Sequence, residues 1–352
     1  MLAQAEVAGY LQRRGLLAAE SVVGGKLVIR EVSSRNLNFA VEVSDGPSYL
    51  LKQGRSAAGA ATVGREAAVY GELVERGSDL RAHLAGLVDY DQDEGVLVLE
   101  LLDEAEDLHG RHLRLEAFPP RLGEELGSAL GTLHREMREV YPPAPTPWVL
   151  SLHRPDTGVF REASAANLEL IKIVQNAEGV GDQLDQLREG WRVETLIHQD
   201  VKWENCLSLP DERLCLIDWE VAVAGDPHWD LGAALCQYLS FWLFSIPVMG
   251  GAPPARLPAL ARYPLEAMKD ALRACCDGYA RAVGGESALA GEALGRTIAY
   301  AGARLIQTAF EASQFGQRLD SASILHLQLG ANLMRRPEDA AGQLLGLAAA
   351  PA

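Results

Sequence analysis

Hydrophobic positions change period along the chain, and the changes mark out its elements. Over Leu2–Ala19, Val7, Leu11 and Leu16 recur near helical spacing, which predicts a helix. Short alternating runs bounded by turn residues follow: KLVIREV (Lys26–Val32), NFAVEV (Asn38–Val43) and YLLKQ (Tyr49–Gln53), with Asp45, Gly46 and Pro47 turning before the last. Alternation of this kind predicts an antiparallel meander. A helix is expected from about Thr62 to Arg76, then two further strands, GLVDYD (Gly86–Asp91) and GVLVLELL (Gly95–Leu102), joined through the acidic turn Gln92–Glu94. Five strands and one helix make a small sheet lobe.

From Asp103 onward the period is mainly helical, with Leu122, Leu126, Leu130 and Leu133 on one stripe. The Pro-rich segment Pro142–Pro147 reads as a linker into an inserted helical stretch, Trp148–Trp191. A β-rich interval between Glu194 and Glu220 interrupts the helices, and Ala- and Leu-rich helices resume after it. No repeat of solenoid period occurs.

A chain of 352 residues is longer than a single core usually grows, so two lobes are expected, residues 1–102 and 103–352. The formal charge of -16 argues against a phosphate-backbone partner and suits a cationic or neutral substrate. The first residues lack the basic-then-apolar order of a signal peptide, and the aromatic-apolar run Leu239–Met249 is too short to span a bilayer and contains Pro247. A cytoplasmic protein without membrane or nucleic-acid partners is expected. Cys206, Cys215, Cys236, Cys275 and Cys276 lack zinc-site spacing and read as buried small hydrophobes in a reducing compartment.

The chemistry concentrates in HQDVKWEN, His198–Asn205, which fits the pattern H-R-D-x-x-x-x-N with Gln for Arg. Phosphoryl transfer needs a carboxylate to orient a hydroxyl and accept its proton, and an oxygen ligand for a metal on the phosphates. Asp200 and Asn205 supply these groups from one loop. Shortly after, LCLIDWE puts Asp218 at the end of an apolar strand, where a kinase carries its second metal-binding carboxylate. An isolated Asp after a strand is usually a turn or cap residue. Three pieces in order argue for more.

With Asp218-Trp219-Glu220 in place of D-F-G, followed by GDPHWDLG (Gly225–Gly232), the chain resembles the aminoglycoside phosphotransferase and choline kinase group. The resemblance implies an α+β, two-lobed protein kinase-like fold, with a small antiparallel-sheet N-lobe, a larger helical C-lobe, and ATP and Mg²⁺ as cofactors. It further implies Asp200 as base, Asn205 and Asp218 as Mg²⁺ ligands, and Asp230 anchoring the catalytic loop through backbone hydrogen bonds. Lys52, a charge on the apolar strand YLLKQ, resembles the lysine that holds the α- and β-phosphates. Its expected partner is Glu66, with Glu72 and Glu75 as alternatives.

The phosphate-covering loop VSSRNLNF has no glycine, leaving backbone N–H groups and the hydroxyls of Ser33 and Ser34 to meet a phosphate; an ordinary hairpin loop is the competing reading. Glu100–Leu102 falls where the resemblance implies backbone bonds to adenine. Lys202 makes the loop D-x-K, as in Ser/Thr protein kinases, where that lysine contacts the γ-phosphate; a solvated loop residue is the alternative. His134 and the cluster Phe241, Trp242 and Phe244 read as packing. The expected activity is phosphoryl transfer from ATP to a small-molecule hydroxyl. A peptide Ser/Thr kinase of a ribosomal peptide natural-product pathway, lanthipeptide- or thioamitide-like, is the alternative, and a non-catalytic pseudokinase the third reading. No G-x-x-x-x-G-K-[ST] string supports a P-loop protein.

Overall fold

The computed structural model describes residues 1–33, 36–76, 79–138, 144–247 and 254–347. Five strands form one antiparallel sheet in the order β1-β2-β3-β5-β4: β1 Leu27–Glu31, β2 Leu37–Val43, β3 Tyr49–Gln53, β4 Leu87–Asp91 and β5 Val96–Glu100. Phe39, Val41, Tyr49, Leu51, Val96 and Val98 bury one face of the sheet against Val7, Tyr10 and Leu11 of the first helix. That helix, Val7–Arg13, is shorter than its sequence suggests. Gly15 turns left-handed at φ 71°, and a separate short helix, Ala19–Val23, follows. The next helix, Ala57–Arg76, starts five residues earlier than expected. Its first turn is small and exposed, so no apolar periodicity announces it.

The chain divides into two compact units, Met1–Asp107 with Leu207–Ala222, and Leu108–Cys206 with Val223–Ala352. The sequence places a single division after residue 102. The return of residues 207–222 to the first unit has a backbone cause: Glu106 and Asp107 of a two-residue β6 pair with Ser208 and Leu207 of β8 (Cys206–Ser208). β9, Leu214–Leu216, completes that small sheet, and Leu216 bridges Leu84.

In the second unit β7 (Thr195–Ile197) pairs with β10 (Val223–Gly225), and helices supply the rest. The expected insertion appears as Thr157–Glu162, Ala165–Asn176 and Val180–Glu189; residues 142–143 of the Pro-rich linker lie outside the described residues. Helices Pro120–Glu136 and Lys269–Val283 approach at backbone distance along Gly123, Gly127 and Gly131. A Cβ on Gly127 would lie 1.9 Å from the Cys275 carbonyl oxygen. All five cysteines are buried, with no disulfide among the described residues, and burial pushes the Cys275 thiol up to about 12. No helix among the described residues is long and apolar enough to cross a membrane.

Three histidines of this unit are held neutral. Burial lowers His112, packed 4.6 Å from the Trp203 ring, to about 4, and His228 to about 3; His326 is lowered by the same cause. Each therefore binds a proton in the unfolded chain, near pH 6.5, before it does in the fold. Their stabilisation is complete above pH 6.5 and is lost as pH falls toward their folded values. At pH 5 each of the first two costs about 2 kcal/mol. The thermal midpoint is expected to drop steadily between pH 7 and pH 5, and a flat profile there would remove the argument.

Candidate active site

In the first unit, Lys52 leaves β3 with its side chain 9% exposed and meets two carboxylates. Its Nζ donates to Glu66 Oε1 at 2.7 Å and to Asp218 Oδ1 at 3.1 Å. Glu66 is therefore the helix carboxylate that Lys52 selects, since it faces inward with Val63, Ala67, Tyr70 and Leu73. Burial opposes the ammonium, but Glu66 and Asp218 outweigh it and raise the lysine pKa. Burial also raises Glu66, whose Oε2 is buried without a partner among the described residues.

Asp218 follows β9 in the left-handed region, φ 69° and ψ 59°. A non-glycine residue there carries backbone strain of about 1–3 kcal/mol. The strain is held by Trp219, fully buried, whose Nε1 donates to the Leu216 carbonyl at 3.1 Å. Glu220 accepts from Asn36 Nδ2 at 3.3 Å.

Of the residues expected on phosphate or adenine, Ser33 is already engaged. Its Oγ accepts from the Asn38 N–H at 3.0 Å and so closes the β1-β2 loop. Ser34 lies outside the described residues. At the end of β5 the Glu100 N–H donates to Gly86 and the Leu101 N–H to Ser48, while Leu102 accepts from the Ala105 N–H at 3.4 Å.

In the second unit, the loop after β7 is pinned from below. Asp226 caps the Pro227–Phe244 helix, accepting from the His228 N–H at 3.0 Å, and Pro227 occupies the first helical position. Asp230, one turn in and fully buried, then accepts from the His198 N–H at 2.6 Å and the Gln199 N–H at 2.9 Å. Its Oδ2 also accepts from His134 Nε2 at 3.2 Å, and His134 Nδ1 meets the Tyr279 hydroxyl at 3.1 Å. His134, which reads as packing in the sequence, thus sits behind the loop. Gln199 itself is left-handed at φ 67°, a conformation that these bonds hold in place.

Asp200 and its neighbours complete that loop. Asp200 Oδ2 accepts from Lys202 Nζ at 2.8 Å and from Asn205 Nδ2 at 3.1 Å. Burial works to raise the Asp200 pKa, but Lys202 and then Arg304 hold it below the usual carboxylate value. An ionised carboxylate with one oxygen spent on lysine and amide can orient a hydroxyl through the other.

Magnesium takes hard oxygen ligands and usually keeps only one or two from protein beside phosphate oxygens. Asp218 has a second carboxylate oxygen beyond the one on Lys52. Asn205 spends its amide nitrogen on Asp200, leaving its carbonyl oxygen as a ligand. Among the described residues no cluster of three or more His, Cys, Asp or Glu side chains suits a metal. Each is a hard oxygen of the kind that such an ion takes beside phosphates.

Removing the pin is expected to be severe. Asp230→Ala leaves two loop N–H groups without acceptors in a buried position, at about 1–3 kcal/mol each. Thermal stability and kcat should fall together, and an unchanged kcat in a folded variant would show that the loop keeps its shape without it.

Comparison with known proteins gives one family and one fold. The model of the phosphotransferase enzyme family matches residues 28–274. No curated protein sequence matches significantly. Among solved structures, the choline kinase LicA of Streptococcus pneumoniae is 15% identical, with TM-score 0.51 over 93% of this chain and 98% of that one. An ethanolamine kinase of Plasmodium vivax is 12% identical, TM-score 0.53, over 93% and 87%. An aminoglycoside phosphotransferase of Alicyclobacillus acidocaldarius is 14% identical, TM-score 0.51, over 91% and 93%. At such identities the likeness is one of fold: α+β and protein kinase-like, with an antiparallel N-terminal sheet and a helical C-terminal part.

Proposed function

This chain belongs to the phosphotransferase enzyme family, and on that premise we propose that it moves the γ-phosphate of Mg·ATP to a hydroxyl of a small molecule. The observation that carries the reading is the loop held on Asp230, which presents an ionised Asp200 beside Lys202 and Asn205. Asp200 orients the acceptor hydroxyl and takes its proton as the oxygen bonds to the γ-phosphorus and the bond to the β-phosphate oxygen breaks. Lys52, fixed by Glu66, neutralises α- and β-phosphate oxygens. Lys202 adds charge beside the transferred group. Asn205 and Asp218 would hold Mg²⁺, which when bound would neutralise phosphate charge. Backbone at Glu100–Leu102 receives adenine. The protein's contribution is positioning and charge stabilisation.

The small-molecule acceptor is favoured over peptide Ser or Thr because the named structures of like fold are a choline kinase, an ethanolamine kinase and an aminoglycoside phosphotransferase. The assembled Lys52, Glu66 and Asp218 set speaks against a pseudokinase. The test is γ-labelled ATP supplied with amino alcohols, aminoglycosides, hydroxy acids or Ser/Thr-rich peptides, with and without a chelator. Magnesium-dependent label on a small molecule is expected. Label on peptide alone would replace the acceptor class, and bound ATP with no transfer to any acceptor would make the chain a binding protein.

A further inference from the structure

Arg304 belongs to the helix Glu292–Ala312 and is 4% exposed. Its guanidinium lies over the Trp229 ring, 5.5 Å from the centroid, and Trp229 Nε1 donates at 3.4 Å to the carbonyl of Gln199, the residue before Asp200. A strong positive charge therefore sits next to the catalytic loop. No described residue forms a hydrogen bond or ion pair with that guanidinium, and its Nε is buried without a partner. One turn on, Gln307 donates to Glu311 at 2.8 Å while its own Oε1 is buried without a donor.

A buried cation without a bonded partner is unfavourable, and a single cation–π contact returns only part of that cost. Trp229 alone does not account for it. Asp200 feels that charge at a distance but makes no direct bond to it among the described contacts, its Oδ2 being spent on Lys202 and Asn205. An anion from outside the chain would supply that bond. The guanidinium fork matches a carboxylate bidentately.

We propose that Arg304 is the anion-binding residue of the acceptor subsite, and that the acceptor is a hydroxy acid whose carboxylate meets Arg304 while its hydroxyl meets Asp200. This rests on the phosphotransfer reading above and narrows it to one acceptor class. The overall charge of -16 suggests a cationic or neutral substrate, but a buried charge beside the reacting group outranks a screened surface average.

The test compares small hydroxy acids, including hydroxy amino acids, with their own amides and with amino alcohols, using label transfer from γ-labelled ATP by wild type, Arg304→Met and Arg304→Lys. Wild type should prefer each acid over its amide by about 100-fold or more in kcat/KM, since an unpaired buried charge penalises the neutral analogue. Arg304→Met should lose that preference, and Arg304→Lys should keep part of it. Transfer to amino alcohols or aminoglycosides but never to acids would overturn the proposal and leave the phosphotransfer reading standing. Transfer to nothing would sink that reading first. An equal loss on acids and amides in folded Arg304→Met would assign the residue to the transferred phosphate or the fold instead. If Arg304→Met does not fold, the acid-to-amide ratio of wild type decides alone.

Discussion

Replacing Asp200 by Ala should leave Mg·ATP binding within a few-fold of wild type and lower kcat by about 10²–10⁴-fold, the range over which a positioned general base acts. The separation of the two effects follows from where its contacts go. Asp200 bonds Lys202 and Asn205 within its own loop, and the loop's shape is held from behind by Asp230, so loss of one carboxylate removes the proton acceptor without releasing the backbone. Titration calorimetry with nucleotide and single-turnover transfer measure the two quantities separately. Similar turnover by mutant and wild type would return Asp200 to the status of a turn residue.

Lys52→Met should be as damaging, for a different reason. The methionine keeps the stem but removes the only positive charge that the described contacts give to Glu66 and Asp218. Breaking a buried pair from one side costs about 3–5 kcal/mol, because the remaining charges stay in the interior. Nucleotide affinity and stability should both fall. Lys52→Ala combined with Glu66→Ala should cost little more activity than Lys52→Ala alone, since the glutamate has then lost its partner already. Fully additive losses would mean that Glu66 acts independently of Lys52.

Much of this is legible in the sequence. The meander shows in the sequence because its strands are short apolar runs bounded by turn residues, and the YLLKQ lysine stands out because it breaks such a run. What escaped has physical reasons. β6 and β10 hold two and three residues, too few for a period to appear. The return of residues 207–222 to the first unit includes the pairing of β6 with β8, which is too short to read. Arg304 does not stand out in the sequence, because a lone arginine on a helix is ordinarily a solvated charge. Its sequence signal is its company: it shares helical spacing with Ala301 and Thr308 inside YAGARLIQTAF, where a charged side chain has few routes to water. His134 reads as packing on a core helix, and nothing in one sequence ties it to Asp230, 96 positions away.

The glycines at 123, 127 and 131 set how near two helices come, and that spacing carries beyond packing. Tyr279 and His134 reach each other across the same interface, and His134 in turn touches Asp230. The separation of one helix pair thus acts as a ruler for a relay of three side chains that ends at the backbone of the loop. A single added methyl at Gly127 would have to displace the Cys275 carbonyl, and the relay would register that shift at its far end. Tolerance to substitution along this glycine row should therefore track the behaviour of a loop that none of the three glycines touches.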